Sequence, residues 1–198
     1  VLVVAGVVAL VLHLATGLDW RLGFVLGAVV AATDPASVVA TFKRLKSPRR
    51  LATLVEGESL FNDGTGLVVF AIALQAVRSD IEPGDAVLRF VSAVVISAGI
   101  GLAIGFLASR IVARVDDHLI ELTISVAVAY GAYLIADAIG QSGVIATVAA
   151  GIVFGNYGRR IGMSAMTEDA INTVWEFTAF LITAFVFILV GLAIPPRQ

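Results

Sequence analysis

The sequence predicts an all-α polytopic membrane protein of about seven transmembrane helices, one of them broken at Thr33-Asp34-Pro35. Three observations lead there. Of 198 residues, 59% are apolar and only 14% charged, with a mean hydropathy of +1.00. A soluble domain carries about 25% charge, so this chain has too little to cover a water-facing surface. Uncharged apolar runs recur from end to end, and about 20 such residues span the hydrocarbon core of a bilayer. The runs do not alternate apolar with polar residues as barrel strands do. In lipid a helix is the element that satisfies its own backbone hydrogen bonds.

The first apolar segment covers roughly residues 1–17 and reads as the remnant of a longer helix. The second, roughly 20–42, contains the break, and the third spans roughly 51–78. The fourth and fifth occupy roughly 87–113 and 118–139. The sixth, roughly 142–157, is short, and Gly140 and Gly143 mark a tight turn before it. The seventh runs over roughly 168–194. Gly pairs four residues apart, Gly23/Gly27, Gly101/Gly105 and Gly151/Gly155, would permit close helix–helix approach.

Basic residues set the orientation. Lys43, Arg44, Lys46, Arg49 and Arg50 follow the second segment, Arg110 and Arg114 end the fourth, and Arg159 and Arg160 follow the sixth. These nine of the thirteen Lys and Arg fall on alternate loops, hence on one side, which the positive-inside rule makes cytoplasmic. Arg21, Arg78, Arg89 and Arg197 lie on the other side, diluted by Asp19, Asp80, Glu82 and Asp85. The alternation supports the count of seven, because one helix more or fewer would scramble it.

Net charge is −2, which argues against a nucleic-acid partner; the partner implied is membrane lipid. Without cysteine, no disulfide or thiolate metal site can form. No signal peptide is evident. Both ends read as cut from a longer protein, so residues 1–198 are expected to form a partial transmembrane domain.

Most acidic residues fall in loops or at helix ends, but Asp34 and Asp63 do not. Asp34 precedes Lys43 by nine residues and Asp63 follows Arg50 by thirteen. At about 1.5 Å per residue, they lie roughly 13 and 20 Å from the cytoplasmic loop that joins their helices. A carboxylate at that depth costs several kcal/mol unless paired, hydrated or protonated, and its default reading is functional. Pro35 removes a backbone donor and pushes Asp34 out of helical dihedrals, so the helix breaks in mid-membrane. Many secondary transporters build ion sites at such breaks.

In Glu56-Gly57-Glu58-Ser59-Leu60-Phe61-Asn62-Asp63-Gly64, Ser59 and Asp63 share a helix face, and Asn62 adjoins it. Together they offer a hydroxyl, a carboxylate and an amide, hard oxygen ligands suited to Na⁺ or Li⁺. Gly64 and Gly66 leave room for a neighbouring helix or an ion. Glu58 lies one turn nearer the cytoplasm and needs a cationic partner or water. Glu56 is read as a helix-start charge favoured by the dipole. Asp137 and Glu176 are read as interfacial near helix ends, His13 as a wet interfacial side chain, and Trp20 and Trp175 as aromatic-belt residues. Phe177 to Phe187 read as lipid-facing or packing residues.

At these residues the sequence resembles the sodium/proton exchangers of monovalent cation/proton antiporter family 1, the NhaP type of bacteria. The resemblance rests on Thr33-Asp34-Pro35 followed by Glu58-Ser59-Leu60-Phe61-Asn62-Asp63, with the basic loop between them. Ser142-Gly143-Val144, the stretch Ala150 to Asn156, Trp175-Glu176-Phe177 and Leu189-Val190-Gly191-Leu192 continue it in the family's order. The resemblance implies an inverted-repeat antiporter fold in a plasma or inner membrane, and a homodimer. It implies that Asp63 binds the cation or the proton and that Ser59 and Thr33 give oxygen ligands. Asp34 would help form or hydrate the site, with water between it and the ion. Asn62 stands where electrogenic relatives carry a second Asp, which implies electroneutral exchange of one cation for one proton. Glu58 would pair with an Arg of the family's later Arg-Gly helix.

The expected activity is secondary active transport, in which Na⁺ (or Li⁺ or K⁺) and H⁺ compete for Asp63 and only the loaded site crosses between inward- and outward-facing states. No cofactor and no covalent chemistry is implied. Another cation-coupled carrier or a cation channel is the alternative within transport. An intramembrane aspartyl protease using Asp34 and Asp63 as an acid/base pair is a distant alternative, as is a purely structural membrane subunit.

Overall fold

The computed structural model describes residues 1–79, 81–115, 117–163 and 165–193, and of residues 36, 43, 49, 165 and 166 the backbone alone. Asp80 and Arg197 lie outside the described residues. Every regular element among those described is helical: α1 (Leu2–Thr16), α2 (Trp20–Ala31), α3 (Ala36–Arg44), α4 (Arg49–Arg78), α5 (Pro83–Val112), α6 (His118–Ala138), α7 (Gly143–Val153), a π turn (Phe154–Gly158), α8 (Arg159–Ile161) and α9 (Ala165–Ala193). The seven expected segments reappear in order, with the second divided into α2 and α3 and the sixth extended through the π turn into α8.

Four helices are long and apolar enough to cross a membrane: Arg50–Arg78, Pro83–Val112, His118–Ala138 and Thr167–Ala193. α1 and α2 are shorter apolar helices. This is an α-helical polytopic membrane protein.

Local chemistry sets the helix ends. Gly17 closes α1 at φ 71°, a left-handed conformation that costs glycine nothing, and its N–H donates to the His13 carbonyl. The Asp19 side chain accepts from the Arg21 N–H, Asp117 from Leu119 and Ile120, and Ser142 from Ile145. Pro83 occupies the first turn of α5, where its missing donor is no loss.

Small residues set the packing. A Cβ on Gly23 would lie 2.8 Å from the Ala9 Cα, and one on Gly27 would lie 2.6 Å from the Ala5 carbonyl oxygen, so α1 and α2 touch backbone to backbone. A Cβ on Gly101 would lie 2.1 Å from the Ala146 carbonyl oxygen and one on Gly105 2.6 Å from that of Ala150, which makes α5 and α7 an equally close pair. The third pair differs. Gly151 and Gly155 have no such neighbour within 4 Å among the described residues.

Two packing groups result. Ala5, Ala28 and Val69 join α1, α2 and α4; Ala108, Val112, Val128, Ala132, Ala136, Ala146, Ala150 and Phe154 join α5, α6, α7 and the π turn. α9 lies against α6 and exposes Phe177, Phe180, Phe185 and Phe187, as expected of lipid-facing residues.

Candidate functional site

The site is built where the break in the second segment crosses the middle of α4. Residues 32–35 are non-helical, and Ala32 is extended at φ −73°, ψ 125°. The helix resumes with the Val39 N–H donating to the Pro35 carbonyl at 2.9 Å. α2 therefore turns its negative C-terminal end and α3 its positive N-terminal end toward Asp34. The break falls where Pro35 predicts it.

α4 passes beside this break. The Ser59 hydroxyl donates to the Thr33 carbonyl oxygen, tying the two elements together, and Ser59 is buried. One turn on, a Cβ at Gly64 would lie 3.4 Å from the Ile145 side chain of α7. On the other side of α4, a Cβ at Gly66 would lie 3.8 Å from the Ala28 carbonyl oxygen and the Ala32 side chain of α2. Gly64 and Gly66 thus let α4 run between α2 and α7, the room for a neighbouring helix that their size predicts.

Asp34 and Asp63 are close enough for their like charges to interact. Both are exposed on the surface of the chain rather than enclosed. Asn62 is half-buried beside them, and its carbonyl accepts from the Thr65 hydroxyl at 3.3 Å. Thr33, Asp34, Ser59 and Asp63 thus gather at the crossing, with Asn62 and Pro35 at its margin. The group that Ser59 meets is the Thr33 backbone carbonyl. A hydroxyl that donates one hydrogen bond keeps two lone pairs, so Ser59 remains able to accept a bond from water or to ligate a cation. Glu58 is exposed and has no cationic partner among the described residues.

Two carboxylates, hydroxyls, an amide and freed carbonyls make an oxygen-only donor set. Hard monovalent cations suit it, and soft metals do not. Among the described residues, no three His, Cys, Asp or Glu side chains converge as a transition-metal site would require.

The sequence profile of the family described as sodium/hydrogen exchanger, transmembrane, matches residues 1–198. The chain belongs to the sodium/hydrogen exchanger family. It is 42% identical over 177 residues to the low-affinity Na⁺/H⁺ antiporter NhaS1 of Synechocystis, covering 88% of this chain and 34% of that protein. It is 40% identical over 182 residues to the Na⁺/H⁺ antiporter NhaH of Halobacillus dabanensis, covering 89% of this chain and 45% of that one. Sodium/hydrogen exchanger 7 of Arabidopsis thaliana is 36% identical over 180 residues, 89% of this chain and 16% of that protein. The chain thus spans less than half the length of these relatives.

Several readings of side chains in this exchanger-family chain require correction. α4 begins at Arg49, so Glu56 lies two turns inside it and not at its start. Glu56 instead lines a cavity of about 940 Å³ on the basic side, shared with Lys46, Thr53 and Asn172. Glu176 is the twelfth residue of α9, about 16 Å from the helix start, and is an exposed mid-helix carboxylate rather than an interfacial one. Trp175 is half-buried against α6, where its indole N–H donates to the Ser125 hydroxyl at 3.1 Å. Trp20 is exposed at the start of α2 with the Arg21 guanidinium 5.8 Å from its ring, as a belt residue would be. Asp137 lies in the last turn of α6 and His13 in the last turn of α1, where it bonds the Leu18 carbonyl at 2.7 Å.

Sequence reasoning passed over Glu121, which lies in the first turn of α6 and is only 1% exposed. Its position near a helix start placed it among the acidic residues at helix ends, and periodicity carried no sign that it would be buried.

Proposed function

We propose that the full-length protein is a secondary transporter exchanging a monovalent cation, Na⁺ in the first instance with Li⁺ or K⁺ as competitors, for H⁺. The observation that carries this reading is the crossing itself. A helix broken at Asp34 is clasped through Ser59 to a second helix that bears Asp63, which brings the two carboxylates within reach of each other's charge. Broken helices with a carboxylate at membrane depth are how many carriers hold a small cation. The relatives' names, Na⁺/H⁺ antiporters in Synechocystis and Halobacillus and a sodium/hydrogen exchanger in Arabidopsis, support the same reading.

Cation and proton compete for the Asp63 carboxylate. Thr33, Ser59 and, through water, Asp34 supply the remaining oxygens, and Asn62 adds a polar neighbour without a second charge. One cation then replaces one proton, so the cycle moves no net charge. Glu58 pairs with an Arg outside this chain, the protein works as a homodimer in a plasma or inner membrane, and no cofactor or covalent step is involved.

The test is cation-induced proton movement in proteoliposomes holding the full-length protein, wild type beside Asp63→Asn, with Na⁺, K⁺ and Li⁺ added in turn. A pH change in wild type, lost in the variant and indifferent to an imposed membrane potential, is the expected result. Cation-dependent proton movement retained by a folded Asp63→Asn protein would overturn the assignment, and conductance without proton counterflow would make the protein a channel.

A further inference from the structure

A cavity of about 500 Å³ lies between α4, α5 and the α6–α7 turn, and it plays no part in the site described above. Its position is fixed by its lining: Gln75 near the end of α4, Arg89 near the start of α5, and Asp137 and Gln141 at the end of α6 and beyond. All four lie at the helix ends opposite the basic loops, so the cavity is on the extracytoplasmic side. Its deepest α4 residue is Leu67, four residues beyond Asp63 on the same helical row and about 6 Å along the axis. The cavity therefore points from extracytoplasmic water toward the carboxylate that binds the cation.

Its chemistry suits a hydrated cation. At ~30 Å³ per water, the volume holds roughly fifteen waters, enough for an alkali ion with its shell. Asp137 contributes a full negative charge, and the C-terminus of α6 beside it adds the negative end of the helix dipole. The Gln141 side-chain oxygen is buried in the cavity wall with no hydrogen-bond partner among the described residues. Rotation about its soft terminal torsion turns that acceptor toward an arriving ion. The opposing charge, Arg89, lies on the far wall, where its guanidinium donates to the Gln75 side-chain amide oxygen at 3.0 Å. A cation is thus drawn to one wall without being held tightly, as an entry stage requires.

We propose that this cavity is the vestibule through which the cation enters from the extracytoplasmic side, and that Asp137 is the residue that collects it there. The proposal rests on the exchanger reading of Asp63. The experiment compares the full-length protein in right-side-out and inverted membrane vesicles, with Na⁺ presented on the outer face in each. Asp137→Asn is expected to raise the KM for Na⁺ on the extracytoplasmic face roughly two- to fivefold at low ionic strength, the range of an exposed charge interaction. KM on the cytoplasmic face and the maximal rate stay unchanged. The difference shrinks as choline chloride is added, because an exposed charge is screened within about 10 Å at 0.1 M salt. Asp137→Glu restores the wild-type value. An equal rise on both faces, no rise, or a rise indifferent to salt would overturn the proposal and leave Asp137 a structural residue. If wild type moves no protons in response to Na⁺, the exchanger reading fails instead. A single cysteine at Ala71, which also lines the cavity, then decides whether the vestibule exists. Labelling by a membrane-impermeant maleimide from the extracytoplasmic side supports it, and labelling from the cytoplasmic side only, or none, removes it.

Discussion

Ser59 has a double use under the proposed exchange, because its hydroxyl closes the crossing and would also face the ion. Ser59→Ala removes the donor and leaves the Thr33 carbonyl unsatisfied beside a helix break, a loss of about 1–3 kcal/mol. The expected outcome is a lower unfolding temperature in detergent together with a raised KM for the cation, while Ser59→Thr, which keeps a hydroxyl, recovers most of both. Arg159 and Glu168 behave differently. Their contact is 2.8 Å, but 36% and 43% of the two side chains is exposed, so water and salt screen the pair. Glu168→Gln should shift stability by less than about 1 kcal/mol in the same thermal measurement. At this scale the sequence was legible wherever the chemistry is local. Ser59 and Asp63 are four residues apart on one helix, which fixes a shared face, and Pro35 dictates its own break. It was illegible where the answer depends on a neighbouring helix: nothing in the residues around Trp175 announces a Ser125 partner fifty positions away. Glu56 was misplaced at the helix start although α4 begins at Arg49, two turns before it.

Among elements, α5 and α7 touch backbone to backbone, and two glycines make it possible. A side chain at Gly101 has no room, because its Cβ alone would meet the Ala146 carbonyl at 2.1 Å. Gly101→Val should therefore force the helices apart, costing about 1–3 kcal/mol or more, visible as a lowered melting temperature or loss of folded protein from the membrane fraction. Gly151→Ala is the control, since nothing among the described residues lies within 4 Å of the added carbon, and it should melt at or slightly above wild type. Both glycines belong to four-residue pairs that look identical in sequence. Spacing identifies a surface that permits close approach, but only a partner of complementary shape, here the small residues Ala146, Ala149 and Ala150, turns that permission into a contact. The break between α2 and α3 was legible at this scale for the opposite reason, because proline acts on its own backbone and needs no partner.

For the whole molecule, the division into two packing groups has a mechanical consequence. α1, α2 and α4 cohere around Ala5, Ala28 and Val69, and α5, α6 and α7 cohere through the Gly–Ala contacts. Between the groups lie the polar cavity of about 500 Å³ and an apolar one of about 250 Å³ bordered by Phe61, Gly64, Val148 and Ile152. Closely packed elements move as bodies, whereas a seam holding cavities is where one body shifts against another. None of this was legible in the sequence, which fixes helices and their sides of the membrane through the alternation of basic loops but carries no label for which helix packs on which. Because Asp34 and Asp63 ride on the first group, exchange of access between the two membrane faces is expected to require movement along this seam. Gly64 and Ile145 face each other across it, with 3.4 Å from an added Cβ at Gly64 to the Ile145 side chain. In the full-length protein without other cysteines, the pair Gly64→Cys and Ile145→Cys should cross-link under mild oxidation. The bridged protein should lose Na⁺-dependent proton movement and regain it on reduction, while each single variant keeps its activity under both conditions. Full exchange by the bridged protein would mean that the two groups travel together and that access changes elsewhere in the molecule.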